Sequence, residues 1–350
     1  MPVVPVVRKK RKEQPKKQES KAPAALWAVL PLALLAALTS VAYASSLHGK
    51  FVFDDQQIVF QNPALMNIRT FSDVVSLGAG WRQLLFFTYG LNFYWTGLDA
   101  SSYHILNVAL HVVNVILVYW IILAALGRGK GESSSRPEAR HSVPMGEGFI
   151  ALAGAAVFGV HTLLSSAVSY IAGRSSVLCA TFYFTAILLF FKGLDSPRRA
   201  TRAMYFVLTG VAGLFAWQAK QEAIALPLFL AGVSFLRTEK KDWRWIAPLA
   251  AIPFLVVLLI RDQIAALYAT VGGNQVLVSA GFEKVLQPAT YFRTYLTSVV
   301  GYYLPRFVFP ASLSADPQIA PAEHWYSPEF IVSIGVLALL AWVTLRFYKR

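Results

Sequence analysis

Apolar runs long enough to cross a bilayer recur along the whole chain, at about 24–47, 103–126, 147–163, 174–192, 203–219, 221–236, 245–261 and 328–347. A crossing helix needs roughly 20 mostly apolar residues, because each residue advances ~1.5 Å through a hydrocarbon layer of ~30 Å. Inside that layer every backbone N–H and C=O must find its partner within the protein, which leaves helices and closed barrels. Runs of this length select helices. A further stretch, 286–309, is long enough but contains Arg293, Pro305 and Arg306, so a re-entrant or interfacial path is expected there. The expected fold is all-α: a polytopic membrane protein built as a helical bundle with about eight or nine membrane segments. Composition agrees, since 14% charged residues is too few to solvate a soluble particle of 350 residues, for which roughly 25% is usual. The single cysteine, Cys179, excludes an intrachain disulfide.

The formal net charge of +14 raises the question of nucleic acid. Its distribution answers no. Residues 1–23 form a basic, proline-interrupted arm with eight Lys or Arg against Glu13 and Glu19, and no aromatic residue is interleaved with the bases before Trp27. Such an arm reads as disordered and as a topogenic signal that holds the N-terminus in the cytoplasm, with anionic lipid head groups as a second partner. The tripeptide Ala42-Tyr43-Ala44 imitates a signal-peptidase site, yet the preceding run spans on its own and reads as an uncleaved anchor.

Loops 127–146, 192–202 and 237–244 are also rich in Lys and Arg, and fall on the same side as the arm. The remaining loops form an exported face. Residues 48–102 are the first exported loop, long enough for short surface helices, and 262–327 are a second exported region holding the candidate re-entrant segment. The main body is then one transmembrane domain, 24–350.

Polar groups beside a membrane are functional candidates because they are expensive to keep there. Asp54 and Asp55 follow the first span within Phe51-Val52-Phe53-Asp54-Asp55-Gln56. Paired carboxylates among aromatics suit a general base, or two hard oxygens for Mg²⁺ or Mn²⁺. In the second span, His104, Asn107, His111 and Asn114 share one helical face. They either bond neighbouring helices or line a cavity, and His104 sits near the outer end. Two outer turns carry His161 and Arg174, and Lys220 and Glu222. With Arg82 they supply cations for a phosphate, Arg as a planar donor fork and Lys as a point charge. No Walker loop, dinucleotide fingerprint, HExxH or GxSxG occurs.

The ordered set Phe53-Asp54-Asp55, Asn62-Pro63, Arg82-x-Leu84, His104-x-x-Asn107-x-x-x-His111, His161 to Tyr170-Ile171-x-Gly173-Arg174, Lys220-Gln221-Glu222 and Leu313-Ser314-x-Asp316 resembles the membrane half of the transmembrane-and-TPR O-mannosyltransferases and their bacterial relatives. The resemblance covers roughly 24–347. It implies a GT-C glycosyltransferase fold, a polyprenyl-phosphate-linked sugar donor, a protein or glycan acceptor, and a catalytic aspartate at Asp54 or Asp55. Where the family shows Arg-Pro-Leu this chain has Arg82-Gln83-Leu84, and Thr162 stands where proline follows the histidine. Ser166 occupies the position of an expected glutamate, and Gln221 separates Lys220 from Glu222.

The leading expectation is an inverting GT-C-type glycosyltransferase acting on the exported side of a bacterial inner membrane. One aspartate is the base and the other a metal ligand or orienter. The alternative is a non-catalytic GT-C-like subunit or scaffold of a larger membrane complex. A transporter is a weaker third reading, since no inverted repeat is visible.

Overall fold

The computed structural model describes residues 22–77, 82–127, 145–237, 288–314 and 319–347, with Pro317 and scattered positions between 247 and 261. The basic arm up to residue 21, loops 128–144 and 238–246, most of the run 245–261, the stretch 262–287 and Asp316 lie outside the described residues. Every regular element among the described residues is helical.

Helix α1, Ala22–Ala42, is apolar and carries Pro31. The loop after it contains a 3₁₀ turn, Ala44–His48, and one π-helical turn, Gln56–Phe60. Helix α2, Pro63–Met66, starts with Asn62 as cap and Pro63 at its first position, where the missing N–H is not needed. Helix α3, Phe71–Ser76, is closed by a capping box between Thr70 and Asp73. Asp73 accepts from the backbone N–H of Arg69 and of Thr70, and those amides hold its carboxyl below the usual range. Helix α4, Gln83–Thr96, follows. Short helices were expected in 48–102; a fourteen-residue one was not.

Helix α5, Ala100–Leu126, is the longest, and Asp99 caps it by accepting from Ser101 N–H. It packs on α1, on α6 (Met145–Val160) and on α8 (Arg174–Asp195). Between α6 and α8 the chain makes a 3₁₀ turn, Thr162–Leu164, and a short α7, Ser165–Ser169, bent by 46° from α6. Helix α9, Arg199–Ala219, packs along α8. A 3₁₀ turn, Gln221–Ala225, leads into α10, Leu226–Arg237. Helical segments Pro288–Ser298, Val299–Tyr303 and Leu304–Val308 run on without a break, and Pro328–Phe347 is the last helix.

Five apolar centres are found among the described residues, and three of them join the main elements. Leu35, Val115, Tyr119, Ala151 and Ala155 join α1, α5 and α6. Ala186, Ile187, Phe190, Ala212, Leu226 and Leu230 join α8, α9 and α10. Val59, Leu65, Val74, Leu85, Tyr89, Tyr103 and Ile171 form a cap that seats the loop after α1 against α4 and α5. At about 25 cal/mol per Å² of apolar surface removed from water, burying each large side chain in the cap contributes ~1.5–3 kcal/mol.

Four helices are long and apolar enough to cross a membrane: Ala100–Leu126, Arg174–Asp195, Arg199–Ala219 and Pro328–Phe347. The bent pair Gly146–Val160 with Thr162–Ser169 makes a fifth if taken as one span. Val29–Ala42 and Gln221–Leu236 are apolar but shorter. Of the eight or nine segments expected, four or five meet the test of length and apolarity among the described residues, and most of 245–261 lies outside them. In 288–308, Arg293 is buried and donates to the carbonyl oxygens of Ala322 and Glu323, so its charge is directed into protein rather than lipid.

Candidate functional site

The two aspartates of the loop that follows α1 have opposite environments. Asp55 is fully buried. Its Oδ1 accepts from Ala172 N–H at 2.7 Å and its Oδ2 from Val52 N–H at 3.1 Å. Burial raises its pKa even though those amides act in the other direction. Asp54 is exposed. Its backbone N–H donates to the Tyr170 hydroxyl at 2.8 Å. Burial, followed by the nearby carboxylates, lifts the Tyr170 pKa and keeps the phenol protonated. The residue just before the pair, Phe53, has a φ of +48°. A non-glycine residue in the left-handed region costs roughly 1–2 kcal/mol.

The loop is thus sewn onto the turn 168–174, which is clamped from below. Asn107 Nδ2 donates to the carbonyl oxygen of Tyr170 at 3.0 Å, with those of Val168 and Ile171 at 3.4 Å. Tyr89 donates its hydroxyl to Ile171 O at 3.0 Å. Gly173 is required, since a Cβ there would collide with the Ala167 carbonyl oxygen. Arg174 begins α8 wholly buried. Its Nε donates to Asn107 Oδ1 at 2.9 Å, Nη1 to Thr88 O at 3.2 Å and Nη2 to Tyr103 O at 3.1 Å. The guanidinium also sits 4.5 Å from the Tyr89 ring centroid and 5.3 Å from that of Tyr103.

Arg174 was expected to hold a phosphate; the structure places it beneath the surface as the bond between α4, α5 and α8. His104 is likewise buried, packed so tightly under Gly49 that a Cβ there would meet its Nε2. Deeper in the stripe, His111 bonds Gly159 O at 3.0 Å and Asn114 donates to Val177 O at 2.9 Å. Of the two readings open for that stripe, Asn107, His111 and Asn114 follow the first, bonding neighbouring segments. His161 caps the turn after α6, with Nε2 2.9 Å from Phe307 O and its ring stacked on Phe307. It ties the segment 288–308 to the turn between α6 and α7.

Arg82, Lys220 and Glu222 form an open rim. Arg82 Nε donates to Gln221 Oε1 at 3.1 Å. Lys220 follows α9 in extended backbone, donates to Ser176 Oγ at 3.1 Å and pairs with Glu222 at 3.0 Å. The Glu222 side chain is 67% exposed. Beside it opens a cleft of about 260 Å³ lined by Ser176, Cys179, Tyr183, Lys220 and Glu222. The Tyr89 hydroxyl is buried beside Arg174. Burial raises its pKa, while the charges of Arg174, Asp55 and Arg82 all act on it.

The fit to a divalent ion is poor. Asp55 presents both oxygens to backbone amides, so the adjacent carboxylates do not face one ion together. No group of three or more His, Cys, Asp or Glu side chains is placed for a metal among the described residues.

Residues missing from the sequence reading are Tyr170 as the hydroxyl beside Asp54 and Ser176 as the neighbour of Lys220. Their signal was weak: a tyrosine in a turn and one serine of a Ser-Ser pair.

Comparison with known proteins agrees with the resemblance. The chain is 24% identical to the human protein O-mannosyl-transferase TMTC4 over 216 residues, covering 57% of this chain and 28% of that protein. It is 27% identical to the Drosophila melanogaster protein O-mannosyl-transferase Tmtc1 over 214 residues, 58% of this chain and 22% of the relative. A Caenorhabditis elegans protein O-mannosyl-transferase is 24% identical over 300 residues, 81% of this chain and 39% of the relative. The chain therefore spans well under two thirds of the length of these relatives. No family model matches it, and no solved structure matches it.

Proposed function

We propose that the chain forms the membrane part of a GT-C-type glycosyltransferase. It moves a sugar, mannose by analogy with its relatives, from a polyprenyl-phosphate donor to a hydroxyl of a protein or glycan acceptor. The observation that carries this reading is the division of labour between Asp54 and Asp55. A buried, doubly bonded carboxylate fixes the loop, and its neighbour is presented outward beside a protonated tyrosine.

In the proposed reaction Asp54 takes the proton from the acceptor hydroxyl. The acceptor oxygen forms a bond to the anomeric carbon as the bond from that carbon to the phosphate oxygen breaks, with inversion. The electron pair leaves on polyprenyl phosphate, whose charge Arg82 and Lys220 stabilise. Glu222 holds Lys220 when no phosphate is present. Arg174, Asn107, His104 and His161 act by positioning. No step runs through a metal ion.

The proposed topology follows the positive loops. The arm 1–23 is cytoplasmic, the body 24–350 crosses a bacterial inner membrane repeatedly, and the site faces the exported side.

The test is sugar transfer by the purified chain with polyprenyl-phosphate mannose and a Ser/Thr-containing peptide. Asp54→Asn should lower kcat by roughly 10²–10⁴-fold while leaving the protein folded. Full activity in that variant removes Asp54 from the mechanism. A second reading, a non-catalytic subunit, draws on the rim, where Lys220 and Arg82 are already satisfied by Glu222 and Gln221. It predicts stoichiometric copurification with membrane partners and no phenotype for Asp54→Asn.

A further inference from the structure

Phe53 is an anomaly that neither folding nor burial explains. Its backbone lies in the left-handed region, φ +48°, where glycine or asparagine would be cheaper. Its ring is 79% exposed, so little apolar burial offsets that conformation. The ring meets Tyr170 edge-on, with centroids 6.4 Å apart at 83°. Tyr170 in turn carries the hydroxyl that bonds Asp54. An exposed aromatic face, an outward carboxylate and a phenol hydroxyl therefore share one corner of the loop. Strain held at such a place is characteristic of functional positions.

We propose that Phe53 is a substrate-contacting residue that stacks on the apolar C–H face of the sugar being transferred. A pyranose is amphipathic: its hydroxyl edges need acceptors and donors, and its C–H face packs on an aromatic ring. Asp54 and Tyr170 supply the polar partners and Phe53 the flat apolar one. The left-handed backbone sits at the ring that stands exposed next to Asp54. This inference rests on the reading of Asp54 as the acting base, and it names the sugar ring as the group recognised beside it.

The experiment compares the full chain in neutral phospholipid nanodiscs with its Phe53→Tyr, Phe53→Leu and Phe53→Gly variants. Binding of a short-chain isoprenyl mannosyl phosphate is followed by saturation-transfer NMR, with transfer from polyprenyl-phosphate mannose to a Ser/Thr peptide measured alongside. Phe53→Tyr keeps the ring and should bind within about twofold of wild type. Phe53→Leu keeps apolar bulk but loses the ring, and should bind roughly five- to tenfold more weakly. Phe53→Gly should lose binding to the same extent while its Tm stays level or rises, because glycine relieves the left-handed strain. The saturation signal should concentrate on the pyranose C–H protons in wild type and Phe53→Tyr alone.

Equal binding by Phe53→Leu and wild type would overturn the inference and leave Phe53 as an apolar lipid contact, without touching the proposed transferase activity. Absence of mannosyl phosphate binding by the wild-type chain would overturn both. A fall in Tm for Phe53→Gly that parallels the loss of binding would make the ring structural and would also overturn the inference.

Discussion

The turn 168–174 with the Asp55 that docks on it, and the rim at 220–222, use the same chemical vocabulary, a cation and a carboxylate beside apolar helices, yet they are built oppositely. In the turn, Asp55 and Arg174 are fully buried and every named bond runs to backbone or to Asn107. At the rim, a half-buried Lys220 and an exposed Glu222 face each other across 3.0 Å. Burial decides what such groups can do. A buried charge must be satisfied by the fold and is then committed to it. An exposed pair gives little stability and exchanges partners freely, which is what a phosphate site requires. The two aspartates repeat the contrast within two adjacent residues.

The largest effect that could break this comparison is expected at Arg174. Arg174→Met removes three donated bonds and leaves the carbonyl oxygens of Thr88 and Tyr103 and the Asn107 amide oxygen without them. Thermal unfolding in detergent should show a loss of about 3 kcal/mol or more. Arg174→Lys should recover only part, because an ammonium lacks the fork that reaches three acceptors. Unchanged stability in Arg174→Met would return Arg174 to the list of free phosphate ligands.

Asp55→Asn comes next. It places an N–H₂ against one of the two backbone N–H groups, and should cost about 1–3 kcal/mol. The same change sharpens a pH signature. Burial lifts Asp55 above its ordinary value of 3.8, so the folded chain holds this proton more tightly than the unfolded one. Its contribution to stability is therefore full below 3.8 and is lost as pH rises through the raised value. A series of Tm measurements upward from about pH 4 should show that decline in the wild type and lack it in Asp55→Asn.

The smallest stability effect belongs to the rim. Lys220→Met and Glu222→Gln should each shift stability by about 1 kcal/mol or less. They should differ in donor binding, with Lys220→Met weakened and Glu222→Gln equal to or tighter than wild type. Equal losses in both would mean that the pair serves the fold.

These contrasts also mark what the sequence could show. Helical offsets placed His104, Asn107, His111 and Asn114 on one face, and bonds to neighbouring segments hold the last three there. Alternation of apolar runs with basic loops made the helical membrane character legible, because a bilayer imposes length and polarity locally. The fate of Arg174 was not legible, since a charge at the start of an apolar helix looks alike whether it faces outward or sits under Tyr89 and Tyr103. Nor could the chain reveal which aspartate turns inward. That choice depends on the backbone N–H groups of Val52 and Ala172, which a remote turn and the local fold bring to Asp55. Helix α4 was missed because it lies in a stretch too polar at its ends to suggest a span and too apolar to suggest a surface helix.

The central claim, that Asp54 is open and Asp55 closed, is tested most directly by carboxylate labelling of the native chain in nanodiscs. A water-soluble carbodiimide with glycine ethyl ester would be followed by peptide mass spectrometry, with transfer activity measured on the same samples. The account predicts rapid modification of Asp54 with parallel loss of transfer, while Asp55 remains unlabelled until the protein is unfolded. Labelling of Asp55 at the same rate as Asp54 in the folded chain, or full transfer by protein labelled at Asp54, would contradict it.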